Sequence, residues 1–552
     1  MALDVRAATI AAAFVLALIV ITCFALPQAA VGLAYPVLLL CLLIVAAAGR
    51  ALIGFRAGQS APTRLGAPTY AAMVAVAAVL PYLQSLGVGF LSDDFGIAAT
   101  MRRLTTAWQA ASTNPLPIFF RPAFALAWWG WQHVSTSPAA YHALSLALHA
   151  AISVLVFLVG LRLIRAPHAA AAGAALFALH PLHVEPVVWS SCLADLLCAF
   201  FALLSLLLLE VHLAAAGRWR RALSLAAAVG AFLMALFSKE AAAALPGFVV
   251  LRVWLLGERP RLRRTIVAGA AYAAALAVYL PLRLASLGGV GGYRLFVAPT
   301  AILPLAPASH IAAFLFPVHG DLLGGPGLAA AVAAAVMALG ALWWVRGLPG
   351  VAGGRLWLWL GFVFVMSLPV WLLPAGTRTL ENSRLAYLPT MGLAWLFADL
   401  VAGRGAGWRR SSAAVAATLA VAAGLTAWYV QPWRQAGALA ARVVAEGARV
   451  VGALPESVEQ PTVYFQGLPE TYHGAQVFRN CYPVALGEHL TRPAAVHVVA
   501  HGAGAEITPQ VMAMSTLLPG EYVVAWQKAA KRMEVVRSGE REGASASLEV
   551  SP

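Results

Sequence analysis

GVGFLSDDFGIAATMRRL, residues 87–104, closes one kind of sequence and opens another. Upstream, residues 68–88 are apolar for the length of about twenty residues that one bilayer crossing takes. Then Asp93 and Asp94 stand side by side, with Arg102 and Arg103 soon after. Carboxylates are costly beside hydrocarbon. A helix start gains from one acid, and a second repels the first. The stretch therefore reads as the end of a membrane span whose acid pair faces something that needs it.

The rest of the chain agrees with a membrane reading. Its 552 residues are 61% hydrophobic and 11% charged, against roughly half and a quarter in soluble domains. Apolar runs near 8–26, 29–49, 68–88, 139–161, 169–186, 187–210, 221–237, 240–257, 265–285, 327–345, 356–375, 385–403 and 411–430 predict thirteen spans. The first run is longer than a signal-peptide core and a second follows at once, so it reads as a retained helix. Residues 117–134, interrupted by Arg121-Pro122, suit an interfacial helix, and 302–317, bracketed by prolines, suit a half-helix or re-entrant piece. Threaded this way, the loops from Arg50 to Arg410 on one side, with Arg6, hold eighteen basic residues, and the opposite loops hold eight. That asymmetry puts the N-terminus in the cytoplasm and the C-terminus outside. It also accounts for the net charge of +15 without nucleic acid as a partner. The five cysteines form neither a disulfide framework nor a metal-type spacing.

The expected domains are 1–67, two spans and a basic loop; 68–431, the membrane core with a first outer loop at 89–138; 432–536, a small α/β domain; and 537–552, a disordered tail. In the α/β part a helix near 434–451 precedes PTVYFQGLP, AAVHVVAHG and EYVVAWQKA, which alternate as strands do. VYFQG resembles a protease-tag scar, but the alternation runs on through it, so it reads as native strand.

In this threading the outer span ends collect Asp93 and Asp94; His180, His183 and Glu185 in ALHPLHVEPVVW; Lys239 and Glu240 in LFSKEAAAALP; and Glu381 and Arg384 in TRTLENSRLAYLP. Asp195 lies some eight residues into a span and must face protein or water. Bland readings exist for each: helix caps, interfacial histidines, a surface turn, a headgroup anchor. His180, His183 and Glu185 could also be imagined around zinc, but Pro181 spoils regular helical spacing.

LSDDFGI, FFRPAFALAWWGWQHVSTSPAAYHALSLALHAAISVLVF, LHPLHVEPVVWSSCLADLLCAFFALL, FSKEAAAALPGFVVL and ENSRLAYLPTMGLAW occur in that order over roughly 68–400. Together they resemble the GT-C class of polytopic glycosyltransferases, nearest the branch of the protein O-mannosyltransferases and the tetratricopeptide-bearing transmembrane mannosyltransferases. The resemblance implies an all-α polytopic membrane fold, a polyprenyl-phosphate-linked sugar donor, and a periplasmic glycan, lipid or protein acceptor at the bacterial inner membrane. It implies that the first-loop acids, Asp93 and Asp94, serve as catalytic base or as ligands of a divalent cation such as Mg or Mn, with Glu185 as a further catalytic carboxylate. Lys239, Arg384 and Arg121 suit the donor phosphate, since a departing phosphate needs cations. His180, His183, Glu240, Asp195 and Glu381 would support the cavity. This sequence departs from the branch in its Asp-Asp pair, its first two spans, and a tail without tetratricopeptide repeats.

A rival reading is a transporter or flippase of a lipid-linked or polar solute. Transporters, however, place charges near the midplane of repeated halves, and here they gather at one mouth. A non-catalytic assembly protein would leave the acid pair unexplained.

Overall fold

The computed structural model describes residues 66–257, 260–289, 291–292, 306–315, 317, 319–322, 353–370, 379–403, 408–501 and 517–539. The expected spans at 8–26, 29–49 and 327–345 lie outside these residues, as does most of the 537–552 tail, whereas the 302–317 segment holds the helix Ala306–Leu315. The described chain divides into two units: one made by residues up to Gly87 and Leu104–Gln431, the other by Val88–Arg103 and the residues from Pro432.

The first unit is helical. Among the described residues seven helices are long and apolar enough to cross a membrane, and an eighth span forms if Pro167–Ala178 and Pro181–Val188 count as one. This pair bends by 51°. Pro181 has no N–H to continue the first helix, and the His180 ring instead takes the Leu182 N–H at 3.2 Å. Two predicted spans are shorter than expected: Leu245–Leu256 has 12 residues after a tight turn at Glu240–Ala244, and Thr390–Ala402 has 13. Asp195, expected deep in a span, instead sits in the first turn of Leu193–Ala214, because the preceding chain breaks at Ser190–Cys192.

Pro138–Ile164 is the central helix. Ser137 caps it, Pro138 suits its first turn, and it ends where Arg165 turns left-handed at φ 61°. At 27 residues it is about 40 Å long and buried along most of its length. Small residues let neighbours close in: a Cβ on Gly173 would lie 2.4 Å from the Ala394 carbonyl oxygen. Polar side chains tie the rest. Ser205 Oγ lies 2.7 Å from the Ala228 carbonyl and 2.6 Å from the Tyr272 hydroxyl, joining three helices, and Asp399 accepts from Trp359 Nε1 at 2.7 Å and Arg355 Nε at 2.9 Å. In a membrane such bonds average about 0.6 kcal/mol each, so they fix register more than they supply stability.

In the second unit the expected strands form: β1 (Thr462–Leu468), β4 (Ala495–His501) and β5 (Glu521–Gln527). Two short strands, β2 (Thr471–Tyr472) and β3 (Ala475–Gln476), pair with each other, and β6 (Arg532–Ser538) was not foreseen. The main sheet runs β4-β1-β5-β6, with β1 parallel to both neighbours and β6 antiparallel to β5. VYFQG is thus the middle of the central strand. Val463, Phe465, Phe478, Tyr482 and Val523 form its core, and Val443 and Val451 of the Gln431–Gly452 helix are buried as well. That helix passes Tyr482 closely enough that a Cβ on Gly447 would lie 2.2 Å from the phenol oxygen.

Candidate active site

Arg218–Ser238 ends at Lys239, whose extended backbone (φ −160°) turns the chain into Glu240–Ala244. Lys239 Nζ donates to Asp195 Oδ1 at 2.5 Å, and both side chains are buried. Next to it in sequence, Glu240 accepts two hydrogen bonds from Arg121, at 2.7 and 3.1 Å, and Arg283 Nη1 stands 3.9 Å away. Arg121 precedes the helix Pro122–Gln132 and its guanidinium lies 3.9 Å over the Phe119 ring. On the far side of the unit's sequence, Glu185 accepts from the Arg384 backbone N–H at 3.0 Å and the Ser383 hydroxyl at 3.3 Å, and forms an ion pair with the Arg384 guanidinium. Asp195, Lys239, Arg384 and Tyr387 line one small pocket, whose other walls include Met366 and Val370.

Two cations lining one pocket, Lys239 buried and Arg384 half-buried, each held by a buried carboxylate, form an anion-receptive surface with an apolar side. An isolated ammonium or guanidinium would be prohibitively costly to bury, and the paired acids remove most of that cost. They also fix the donors in place before any ligand arrives. Glu381 is half-buried in the turn leading to Ser383–Ala386.

The histidines are ties within the fold. His149 Nε2 donates to the Ala178 carbonyl at 3.0 Å, so Nδ1 accepts a hydrogen bond from the Tyr387 hydroxyl at 2.7 Å. By the same logic His183 Nδ1 donates to Phe177 O at 2.8 Å, with Nε2 3.0 Å from the Thr390 hydroxyl. His180 Nε2 donates to Phe314 O at 2.9 Å and the ring stacks on Phe314. All three rings have both nitrogens committed, which disposes of the zinc reading of His180 and His183.

Asp93 and Asp94 belong to the second unit and differ from each other. They open the helix Asp93–Arg102. Asp94 is fully buried, and its Oδ2 accepts from the Leu91 N–H at 3.0 Å, so it turns back on its own helix start. Asp93 is half-buried and takes a hydrogen bond from Asn480 Nδ2 at 2.8 Å. Burial and the Asp93 carboxylate push the neighbouring Cys481 thiol up to about 11. Among the described residues no three or more His, Cys, Asp or Glu side chains gather in a way that could hold a metal ion. Asp94 Oδ2 is committed to the Leu91 N–H.

Sequence reasoning did not single out Tyr387, Ser383, Arg283 or Asn480. Tyr387 and Ser383 lie within the ENSRLAYLP block, where Arg384 was the visible signal. Asn480 has no signal of its own, since its meaning comes from a partner 387 residues away.

No family model matches the chain. Over 119 residues it is 45% identical to the human "Protein O-mannosyl-transferase TMTC4". The stretch is 19% of this chain and 15% of that protein, so the chain spans a small part of the curated relative's length. Together with the apolar helices, this partial likeness describes a membrane protein similar in part to a protein O-mannosyl-transferase.

Proposed function

We propose that the chain is an inverting GT-C-like membrane glycosyltransferase that moves a sugar from a polyprenyl-phosphate donor to a hydroxyl on a periplasmic glycan, lipid or protein. The observation that carries this reading is that Lys239 and Arg384, both held by buried acids, line one pocket together with apolar side chains. A lipid phosphate matches it, since its tail stays in the bilayer while its phosphate meets paired cations. The likeness to a human O-mannosyl-transferase supports sugar transfer and favours mannose as the first donor to try.

In the proposed step the acceptor oxygen bonds to the sugar's anomeric carbon and the bond from that carbon to the phosphate oxygen breaks. The polyprenyl phosphate leaves with the electron pair, toward Lys239 and Arg384. The acceptor proton goes to a carboxylate, and of the first-loop pair Asp93 suits this role, since Asp94 is buried against the Leu91 N–H. Arg121 and Glu240 hold the chain beside Lys239. Thirteen spans, a cytoplasmic N-terminus, a periplasmic C-terminal domain and placement in a bacterial inner membrane complete the proposal, carried by the arginine asymmetry of the loops.

The test is the full chain in lipid vesicles with labelled undecaprenyl-phosphate mannose and periplasmic extract as acceptor. Labelled mannose should pass to the acceptor fraction, and Lys239→Ala and Arg384→Ala should abolish it. Passage of intact donor across the bilayer without cleavage would replace this reading with a transporter.

A further inference from the structure

We propose that Asn480, supplied by the C-terminal part of the chain, is a positioning residue for the Asp93 carboxylate, an inference that rests on the glycosyltransferase reading above. Asp93 and Asp94 sit at one helix start and yet are held differently. Asp94 is satisfied locally by the Leu91 N–H. Asp93 depends on a distant segment, with the Asn480 side-chain amide donating to its Oδ1 at 2.8 Å.

The backbone before Asp93 is held by that same segment. Ser92 has φ 47° and ψ −115°, a left-handed conformation that a residue with a side chain adopts at a cost. Its N–H donates to Val477 O at 2.9 Å, and its hydroxyl takes the Asn480 N–H at 3.3 Å instead of capping the helix it precedes. Phe95 stacks on Phe478, ring centroids 5.9 Å apart. Cys481 Sγ fills the space over Gly96, where an added Cβ would lie 2.6 Å from the sulfur. Residues 477–481 thus grip 92–96 at the backbone, the side chains and the carboxylate together.

Strain of this kind survives only where the surroundings over-determine it, and it gathers at sites that need a fixed geometry. A base must stand within hydrogen-bond reach of the proton it takes. An amide donor on Oδ1 fixes the plane of the carboxylate and leaves Oδ2 to receive that proton. Asn480 is well suited to this, because it orients the acid without giving it a permanent counter-charge.

The experiment compares wild type, Asp93→Asn, Asn480→Ala, Asn480→Asp and the double variant Asp93→Asn/Asn480→Ala in the vesicle transfer assay, with thermal melting alongside. Loss of a hydrogen bond to a charged group predicts a fall in kcat of about 10- to 100-fold for Asn480→Ala, with donor KM within about twofold. Asn480→Asp is isosteric, and by setting a like charge against Asp93 it should be slower still. The double variant should be no slower than Asp93→Asn. Full kcat in Asn480→Ala or Asn480→Asp, with Asp93→Asn inactive, overturns the positioning role alone. A fall confined to KM, or in step with lost melting temperature, also overturns it. Full transfer by Asp93→Asn overturns the parent assignment of the base, and absence of transfer by wild type overturns the glycosyltransferase reading and this inference with it.

Discussion

Lys239 meets Asp195, Arg121 meets Glu240 and Arg384 meets Glu185, whereas Asp93 takes its hydrogen bond from an amide and Asp94 from a backbone N–H. In the helical unit, burial in an apolar surrounding makes a lone charge too costly, so each of these cations carries its own acid. In the proposed reaction these cations would meet the donor phosphate already neutralised by their acids. In the second unit Asp93 is partly open and its partner is neutral. In the proposed reaction the first arrangement would anchor the phosphate and the second would serve acid–base work.

The contrast can be broken in several places. Asp93→Asn should leave melting unchanged and lower sugar transfer by about 10²- to 10⁴-fold, the range for loss of a general base. Asp94→Asn should instead lower the melting temperature, and the reverse pattern would exchange the two roles. In the helical unit, Lys239→Met should cost about 3–5 kcal/mol in thermal or denaturant unfolding, because it leaves Asp195 buried without its cation. Lys239→Met/Asp195→Leu should recover most of that loss. If the double variant is no better than the single, the pair is not the stabilising unit described here. Gly447→Ala should cost about 1–3 kcal/mol by overpacking against Tyr482, and Gly447→Ala/Tyr482→Phe should cost less. The smallest effect concerns Cys481. The thiolate is the reactive form, and a thiol raised to about 11 holds little of it near pH 8. Alkylation of Cys481 in the folded protein should be slow there and keep climbing beyond pH 9. A rate that levels off near pH 9 would place the thiol in the ordinary range and weaken the contact with Asp93.

Much of the fold could be read from apolar runs, because a bilayer demands length and hydrophobicity that composition displays directly. The limits came where chain geometry intervenes. Pro181 bends one expected span and the turn at Glu240–Ala244 shortens another, and hydropathy registers neither. In the tail, β1, β4 and β5 were visible by alternation or a run of β-formers. β6 was not, since Met533 alone among its side chains is fully buried and the strand offers no apolar face. The site followed the same division. Lys239, Glu185 and Arg384 stood out as charges beside apolar runs, but sequence distance hid that Lys239 pairs with Asp195 and Glu185 with Arg384. Asn480 and Tyr387 are unremarkable in sequence and acquire meaning from what folding sets against them.

The close approach of Gly173 to Ala394 bears on how the protein is made. Pro167–Ala178 and Thr390–Ala402, at 12 and 13 residues, measure about 18 and 20 Å, well short of the roughly 30 Å of hydrocarbon in a bilayer. Released singly into lipid during synthesis, each would leave polar backbone ends at the wrong depth. More than two hundred residues separate them in the chain. The earlier helix must therefore wait, sheltered by its neighbours or by the insertion machinery, until the later one emerges. Final assembly of this core is an event of late translation, and truncation before residue 390 should leave a product that the cell's quality control degrades.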